Sequence, residues 1–493
     1  MATVVVVLLM AMGSMMVGAQ QFDVVHNYAH HEGSPANSGG QGASQEYSAL
    51  LKEHDRRRLA SVADFPLRGD DDPTSIGLYF TQITLGTPPR QFYVQVDTGS
   101  DILWVNCDPC PGCPLTTDIK GITLQHYDPS LSTTDKILGC TDAACPIASN
   151  GAGNGACTSV GSTRACAYVT QYGDGSSTRG YFINDVLTFR QVDNSSNGNA
   201  TANIYFGCGT TQSGNLLTTS RAVDGLMGFG QAQIAVPTQL AAQAKVGRVF
   251  AHCLQGDNQG SGTFVIGSIL EPNISYTPII PKQYHYSVGM ENIAVDGVNI
   301  TDPTSFAIGV SGGGVIMDSG TTLSYLVEPA YTQFINAITS GAPVASYRLP
   351  YSDGSTSLCW MYSGDIASAF PSVTLFFDGG VVMNLAARNY LYSVRVSSGS
   401  YWCMGWMSST STYTIFGDIV LKDQLVVYDN DNQRVGWKPF DCTKSIRVSA
   451  PNSTTPMDVL PGSGDGFGAG ATTRLSTIAL SSCLAFALLC AFL

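Results

Sequence analysis

Between Tyr79 and Lys438 the apolar positions come in short runs, rich in β-branched and aromatic side chains and separated by Gly, Pro, Asn and Asp. The runs Tyr79–Leu85, Gln91–Val96, Ala202–Phe206, Thr263–Ile266, Val373–Phe377 and Leu425–Tyr428 predict strands closed by turns. Helical spacing is confined to Pro237–Ala244 and Glu328–Ile338. A region of this kind is mostly β.

Both ends depart from the pattern. Val4–Met12 is a continuous apolar run followed by small residues, with Val17-Gly18-Ala19 as a cleavage site before Gln20. This reads as a secretory leader, although no Lys or Arg precedes the run. A membrane anchor is the alternative, and the run is short for a span. Residues 20–75 are polar, with a helical piece near Tyr47–Leu59 that carries the basic run Arg56-Arg57-Arg58. They read as a pro-segment or, alternatively, as an unstructured arm. After Cys442 the chain turns to Ser, Thr, Pro and Gly, the composition of a flexible spacer. From Leu475 it is apolar to Leu493. Small residues, a polar spacer and a terminal apolar tail form a GPI-attachment signal, with Ser463, Gly464 or Gly468 as the attachment residue. A C-terminal membrane span is the alternative, and no basic flank follows it. The expected division is therefore a leader (1–19), a pro-segment (20–75), two lobes (76–260 and 261–442), a spacer (443–473) and a tail (474–493).

Composition narrows the class. The 493 residues exceed one ordinary domain. With 44% hydrophobic and 12% charged residues the chain has material for sizeable cores. A net charge of -13 excludes a generally basic nucleic-acid face. Twelve of the 14 cysteines lie between Cys107 and Cys442. After a leader, an even set of this kind points to six disulfides in an oxidising compartment. Cys107-x-x-Cys110-x-x-Cys113 also has the spacing of a zinc cluster, the alternative in a reducing compartment. N-x-S/T sequons at Asn194, Asn199, Asn273, Asn299 and Asn452 fit the secretory route.

The chemistry lies in a weak internal repeat. Phe92–Val96 leads into Asp97-Thr98-Gly99-Ser100, followed by Ile102–Val105. Val315–Met317 leads into Asp318-Ser319-Gly320-Thr321, followed by Leu323–Leu326. In each copy an apolar strand carries an Asp to a dry place, and the Gly lets the backbone turn sharply beneath it. The hydroxyl residues can hold the carboxylates in plane. Two carboxyls brought together share one proton, because both cannot ionise cheaply. One then serves as base toward water and the other as acid toward a carbonyl. Either motif alone is an ordinary turn. Their repetition, one per half of the β region, makes Asp97 and Asp318 the candidate catalytic pair.

With these motifs, residues 76–441 resemble the pepsin-like aspartic proteases. Further landmarks occur in order. Tyr172-Gly173-Asp174-Gly175-Ser176 resembles the flap hairpin, and Trp104 matches the tryptophan that hydrogen-bonds the flap tyrosine. Asp224-Gly225-Leu226-Met227-Gly228 and Thr414-Ile415-Phe416-Gly417-Asp418 resemble the two segments that cross behind the catalytic loops. The resemblance implies a bilobal double β-barrel with a cleft between the lobes. It implies that Ser100 and Thr321 support the carboxylates from outside, while Ser319 stands where a Thr is commoner. The cysteine-rich insert Cys107, Cys110, Cys113, Cys140, Cys145, Cys157 and Cys166 resembles that of nepenthesin-like plant enzymes. That likeness implies the pairs 107–110, 113–208, 140–166, 145–157, 253–442 and 359–403. It further implies a monomeric endopeptidase acting on proteins or peptides without metal or cofactor. The expected location is the outer face of the plasma membrane, held by a GPI lipid, or the cell wall. The rival is a non-catalytic binding or inhibitor protein on the same fold.

Overall fold

The computed structural model describes residues 61–462 apart from 146–156, 193–196, 244, 257–259, 308–312, 351–355, 397–398 and 451–454. The leader, most of the pro-segment, Asn194, Asn452, the attachment candidates Ser463, Gly464 and Gly468, and the apolar tail lie outside the described residues.

The predicted strands form: Leu78–Leu85, Arg90–Asp97, Ser261–Ile266, Val373–Phe377 and Gln424–Asp429 each contain or match an expected run. The two helical stretches become Val236–Ala242 and Ala330–Gly341. The largest sheet has 15 strands. Six of them, at one end of its strand order, form an antiparallel run that joins the two halves, the central sheet: Ser275–Pro278, Arg434–Pro439, Gln424–Asp429, Val249–Leu254, Ser261–Ile266 and Val62–Asp70. From there the sheet continues through Leu78–Leu85 and Arg90–Asp97 into the N-terminal half. The C-terminal half is built on a five-stranded sheet containing Val315–Met317, Thr414–Phe416 and Ser324–Leu326.

Strand alternation gives the central sheet two apolar faces. Phe250, Phe264, Val426 and Tyr428 belong to the main core on one side. Ala251, Cys253, Val265, Leu425 and Val427 point the other way. That second face is covered by Ile446, Val448, Met457 and Val459. These residues sit on the strands Ile446–Ser449 and Met457–Val459, which pair with each other and with Ser268–Ile269. The described residues of the stretch expected to be a flexible spacer thus include two paired strands and Gly462, whose N–H donates to Gly262 O. Its polar composition concealed four apolar positions at alternating spacing, and burial of each contributes about 1.5–3 kcal/mol.

Two expected boundaries also shift. Val62–Asp70 falls in the stretch expected as pro-segment, yet Val62, Ala63, Phe65 and Leu67 are buried. It pairs with Ser261–Ile266, Leu78–Leu85 and Ser177–Val192. The lobe boundary at 260/261 falls between Val249–Leu254 and Ser261–Ile266, two strands of one antiparallel pair. The lobes share that sheet, so no cut in sequence separates them there.

Six disulfides form, and four pairings differ from those implied by the resemblance. Cys253–Cys442 and Cys359–Cys403 are as expected. Cys107 pairs with Cys208, leaving Cys110 with Cys113. The reason is register: Trp104–Asn106 runs parallel to Asn197–Ser213 with Val105 opposite Cys208, which brings Cys107 alongside. Cys113 N–H donates to Cys110 O in the turn that closes the second pair. Cys145 pairs with Cys166, and Cys140 with Cys157. Here burial sorts the four: Cys145 and Cys166 are fully buried, whereas Cys157 is exposed and Cys140 half-buried. The sequons at Asn199, Asn273 and Asn299 are exposed.

Candidate active site

Each candidate Asp stands at or just past the end of a strand that has a parallel neighbour from much later in its half. Arg90–Asp97 pairs in parallel with Gly225–Gly228, placing Gly228 opposite Asp97. Val315–Met317 pairs in parallel with Thr414–Phe416. Phe229 N–H donates to Asp97 O at 2.8 Å, and Asp318 N–H donates to Phe416 O at 2.9 Å. Gly228 and Gly417 are needed at these crossings. A Cβ on the first would run into the Asp101 and Ile102 backbone, and a Cβ on the second into the Leu323 and Thr321 carbonyls.

The two Asp loops then bond their carboxylates in the same way. Gly99 N–H donates to Asp97 Oδ1 at 2.7 Å, and Ser100 Oγ donates to Asp97 Oδ2 at 2.5 Å. Gly320 N–H donates to Asp318 Oδ1 at 2.8 Å, and Thr321 Oγ1 donates to Asp318 Oδ2 at 2.6 Å. The carboxyls face each other across the loop glycines. A Cβ on Gly99 would collide with the Asp318 carboxylate, and one on Gly320 with that of Asp97.

Behind the carboxylates the loops interlock. Thr98 Oγ1 donates to Met317 O and accepts from Ser319 N–H, both at 2.9 Å. Ser319 Oγ donates to Val96 O at 3.3 Å and accepts from Thr98 N–H at 3.2 Å. Each hydroxyl reaches the other half of the chain, so the two Asp loops are fixed as one unit. Ser319 lacks the methyl of a Thr but keeps both hydrogen bonds.

Asp97 is 4% exposed and Asp318 half-buried. Burial, and next the charge of Asp318, hold the Asp97 carboxyl well above the ordinary carboxylate range. The pair therefore keeps one proton at pH values where an exposed carboxyl has lost it. One carboxyl can take a proton from water while the other donates to an oxygen.

Tyr172 begins the hairpin turn between Thr163–Gln171 and Ser177–Val192. Tyr172 N–H donates to Ser176 O, and Gly175 takes the left-handed φ of 83° that the turn requires. Asp174 Oδ1 accepts from Ser176 N–H and Oγ, and its Oδ2 accepts from Asn215 Nδ2 at 3.0 Å. Burial raises the Asp174 carboxyl, but these hydrogen bonds outweigh it and hold the group below its usual range. Gly173 lies at the open tip with nothing near its Cβ position. Trp104 Nε1–H donates to Tyr172 OH at 2.6 Å, tying the hairpin to the strand that leaves the first Asp loop. Burial, and next the charge of Asp97, raise the Tyr172 phenol, which stays protonated. Ile102, Leu216, Ala232 and Ile234 line the apolar cluster around this pair.

Sequence reasoning missed two groups beneath the site. Tyr428 OH lies 3.4 Å from Thr98 Oγ1 and 3.2 Å from His252 Nε2. Asp418 is fully buried, and neither carboxylate oxygen has a hydrogen-bond partner among the described residues. The run Leu425–Tyr428 was expected as a strand, but nothing in the sequence marked Tyr428 as lying under Thr98.

Known proteins match this chain over most of its length. Residues 79–268 match the family described as xylanase inhibitor N-terminal, and residues 285–439 its C-terminal counterpart. Aspartic proteinase 36 of Arabidopsis thaliana is 40% identical over 438 residues, covering 87% of this chain and 85% of its own. Aspartic proteinase nepenthesin-1 of Nepenthes gracilis is 29% identical over 75% of this chain and 79% of its own. Among solved structures, basic 7S globulin from soybean shares the fold with a TM-score of 0.61 at 21% identity. It matches 80% of this chain and 99% of its own. With matches of this kind across most of its length, the chain belongs to the pepsin-like plant aspartic proteinase family.

Proposed function

We propose that this chain is an aspartic endopeptidase, hydrolysing peptide bonds with a water molecule activated between Asp97 and Asp318. The observation that carries this reading is the mirrored bonding of the two carboxylates around one retained proton. The ionised carboxyl removes a proton from water, and the protonated one donates to the scissile carbonyl oxygen. A tetrahedral intermediate follows without a covalent enzyme adduct. The hairpin with Tyr172 covers the bound peptide, and the apolar cluster at Ile102 and Leu216 favours an apolar side chain beside the scissile bond. Relatives named aspartic proteinases support the same reading.

The test is cleavage of acid-denatured haemoglobin by the processed protein from strongly acidic to mildly alkaline pH, with and without pepstatin and beside Asp318→Ala. Acid-dependent cleavage that pepstatin blocks and the variant lacks is the expected result. A folded, processed protein that cleaves nothing would move the chain to the non-catalytic binding class, which the xylanase-inhibitor description of its two halves favours.

We also propose that the protein is secreted, loses its N-terminal pro-segment and is held at the outer cell surface by a GPI lipid as a monomer. The leader, the sequons and the terminal apolar stretch support this. Release from intact cells by a phosphatidylinositol-specific phospholipase C tests the anchor, and retention after that treatment counts against it.

A further inference from the structure

We propose that Tyr428 and His252 are positioning residues for the catalytic pair, acting through the hydroxyl of Thr98. The inference rests on the peptidase reading for its kinetic consequences but on hydrogen-bond accounting for its geometry.

A threonine hydroxyl has one proton to donate and two lone pairs to accept with. The Thr98 proton goes to Met317 O at 2.9 Å. One lone pair takes the Ser319 N–H, also at 2.9 Å. What remains is one acceptor position, and Tyr428 OH faces it at 3.4 Å. Tyr428 must therefore direct its single proton to Thr98. Its contact with His252 Nε2 at 3.2 Å then has one workable direction, with the imidazole N–H donating to the phenol oxygen. This fixes His252 as the tautomer protonated on Nε2 and bare on Nδ1. In keeping with that assignment, Nδ1 is buried with no partner among the described residues.

The result is a one-way chain of donors from His252 to Tyr428, to Thr98, to the carbonyl of the residue preceding Asp318. Both Asp loops hang on Thr98, one through its own backbone and the other through Met317 O and Ser319 N–H. Nothing in the chain can swing aside. The Tyr428 ring stacks on Phe250 at 4.6 Å and meets Tyr286 edge-on at 4.7 Å. His252, Tyr428 and Thr98 are all fully buried. Burial also pushes the imidazole down to about 3, so the ring stays neutral and the donor direction holds through most of the acid range.

Neither group touches the reacting atoms, so their loss should alter turnover more than substrate binding. The experiment compares wild type, Tyr428→Phe, His252→Leu and His252→Gln in the processed protein, with unfolding midpoints measured beside kcat and KM. Tyr428→Phe keeps the ring and removes only the proton donated to Thr98. It is expected to lower kcat about 3- to 10-fold with KM within about twofold. His252→Leu should fall in the same range. His252→Gln, whose amide N–H can replace the imidazole donor, should recover most of the loss. Unchanged kcat in Tyr428→Phe, or a Gln variant as impaired as Leu, would overturn the proposal.

Should the wild type itself cleave nothing, the peptidase reading fails separately, and the geometry is read by histidine 15N shifts in labelled wild-type protein at mildly acidic pH. Protonated Nε2 and bare Nδ1 at His252 are expected. The opposite tautomer would refute the donor chain whatever the activity.

Discussion

The two Asp loops are copies in outline and unequal in support. Each carboxylate accepts one backbone N–H and one hydroxyl, at matching distances. Around them the symmetry ends. Asp97 is nearly sealed, beside Trp104 and a flap, while Asp318 is half-buried. Thr98 Oγ1 has three partners and Ser319 Oγ two. Duplication can supply two alike carboxylates, but the different work of acid and base needs unlike surroundings. Here those surroundings come from residues outside either motif.

The comparison breaks first at the aspartates. Asp97→Asn and Asp318→Asn are each expected to lower kcat/KM by about 10²- to 10⁴-fold, measured on a fluorogenic peptide, because the proton is shared. A large loss in only one of them would mean that the pair does not act as a unit.

Titration comes next. Asp64 on the central sheet and Asp224 behind the first loop are buried, and burial raises each to about 7. Arg190 offsets this in part for Asp64, and hydrogen bonds from Tyr93 and Gln125 do so for Asp224. Such groups are protonated in the folded protein at pH values where the unfolded chain has already ionised them. Their contribution is full below about pH 4 and is lost as pH rises through about 7. The melting temperature should therefore fall between about pH 4 and pH 7.5, by the equivalent of a few kcal/mol in total. Asp64→Asn should flatten part of that slope. A melting temperature that holds level or rises across this window would refute the assignment.

The interlock sharpens the contrast further. Thr98→Val removes the hydrogen bonds to Met317 O, the Ser319 N–H and the buried Tyr428 hydroxyl, whereas Ser319→Ala removes only the weaker pair to Val96 O and the Thr98 N–H. Urea unfolding should register about 2–3 kcal/mol for the first and about 1 kcal/mol for the second. Equal losses would mean that Thr98 is no hub.

The smallest effect belongs to the flap. Trp104→Phe removes the N–H donated to Tyr172 and should lower kcat/KM about 3- to 10-fold. In a double-mutant cycle with Tyr172→Phe the two changes should not add, since they delete the same bond. Full additivity would show that the two side chains act independently.

Much of the site was legible because its parts are local. An apolar strand, an Asp, a Gly and a hydroxyl occur within a few consecutive residues, and the repeat paired them. The strands were legible for the same reason. What escaped notice depends on contacts between distant segments. Cys107 finds Cys208 through parallel strand register, and Cys145 finds Cys166 by burial. Val62–Asp70 looked dispensable because it precedes the first motif, yet three separate strands pair with it. Tyr428 and His252 carry no motif, and only the sheet brings them under Thr98.

The strands Ile446–Ser449 and Met457–Val459 have a mechanical meaning. They lie on the face of the central sheet opposite the one bearing Tyr428 and, above it, the aspartates. Gly462, the last described residue, still donates its N–H to Gly262 on that sheet. A load applied at Gly462 is therefore received by the sheet that joins the halves, not by the loops that hold the carboxylates.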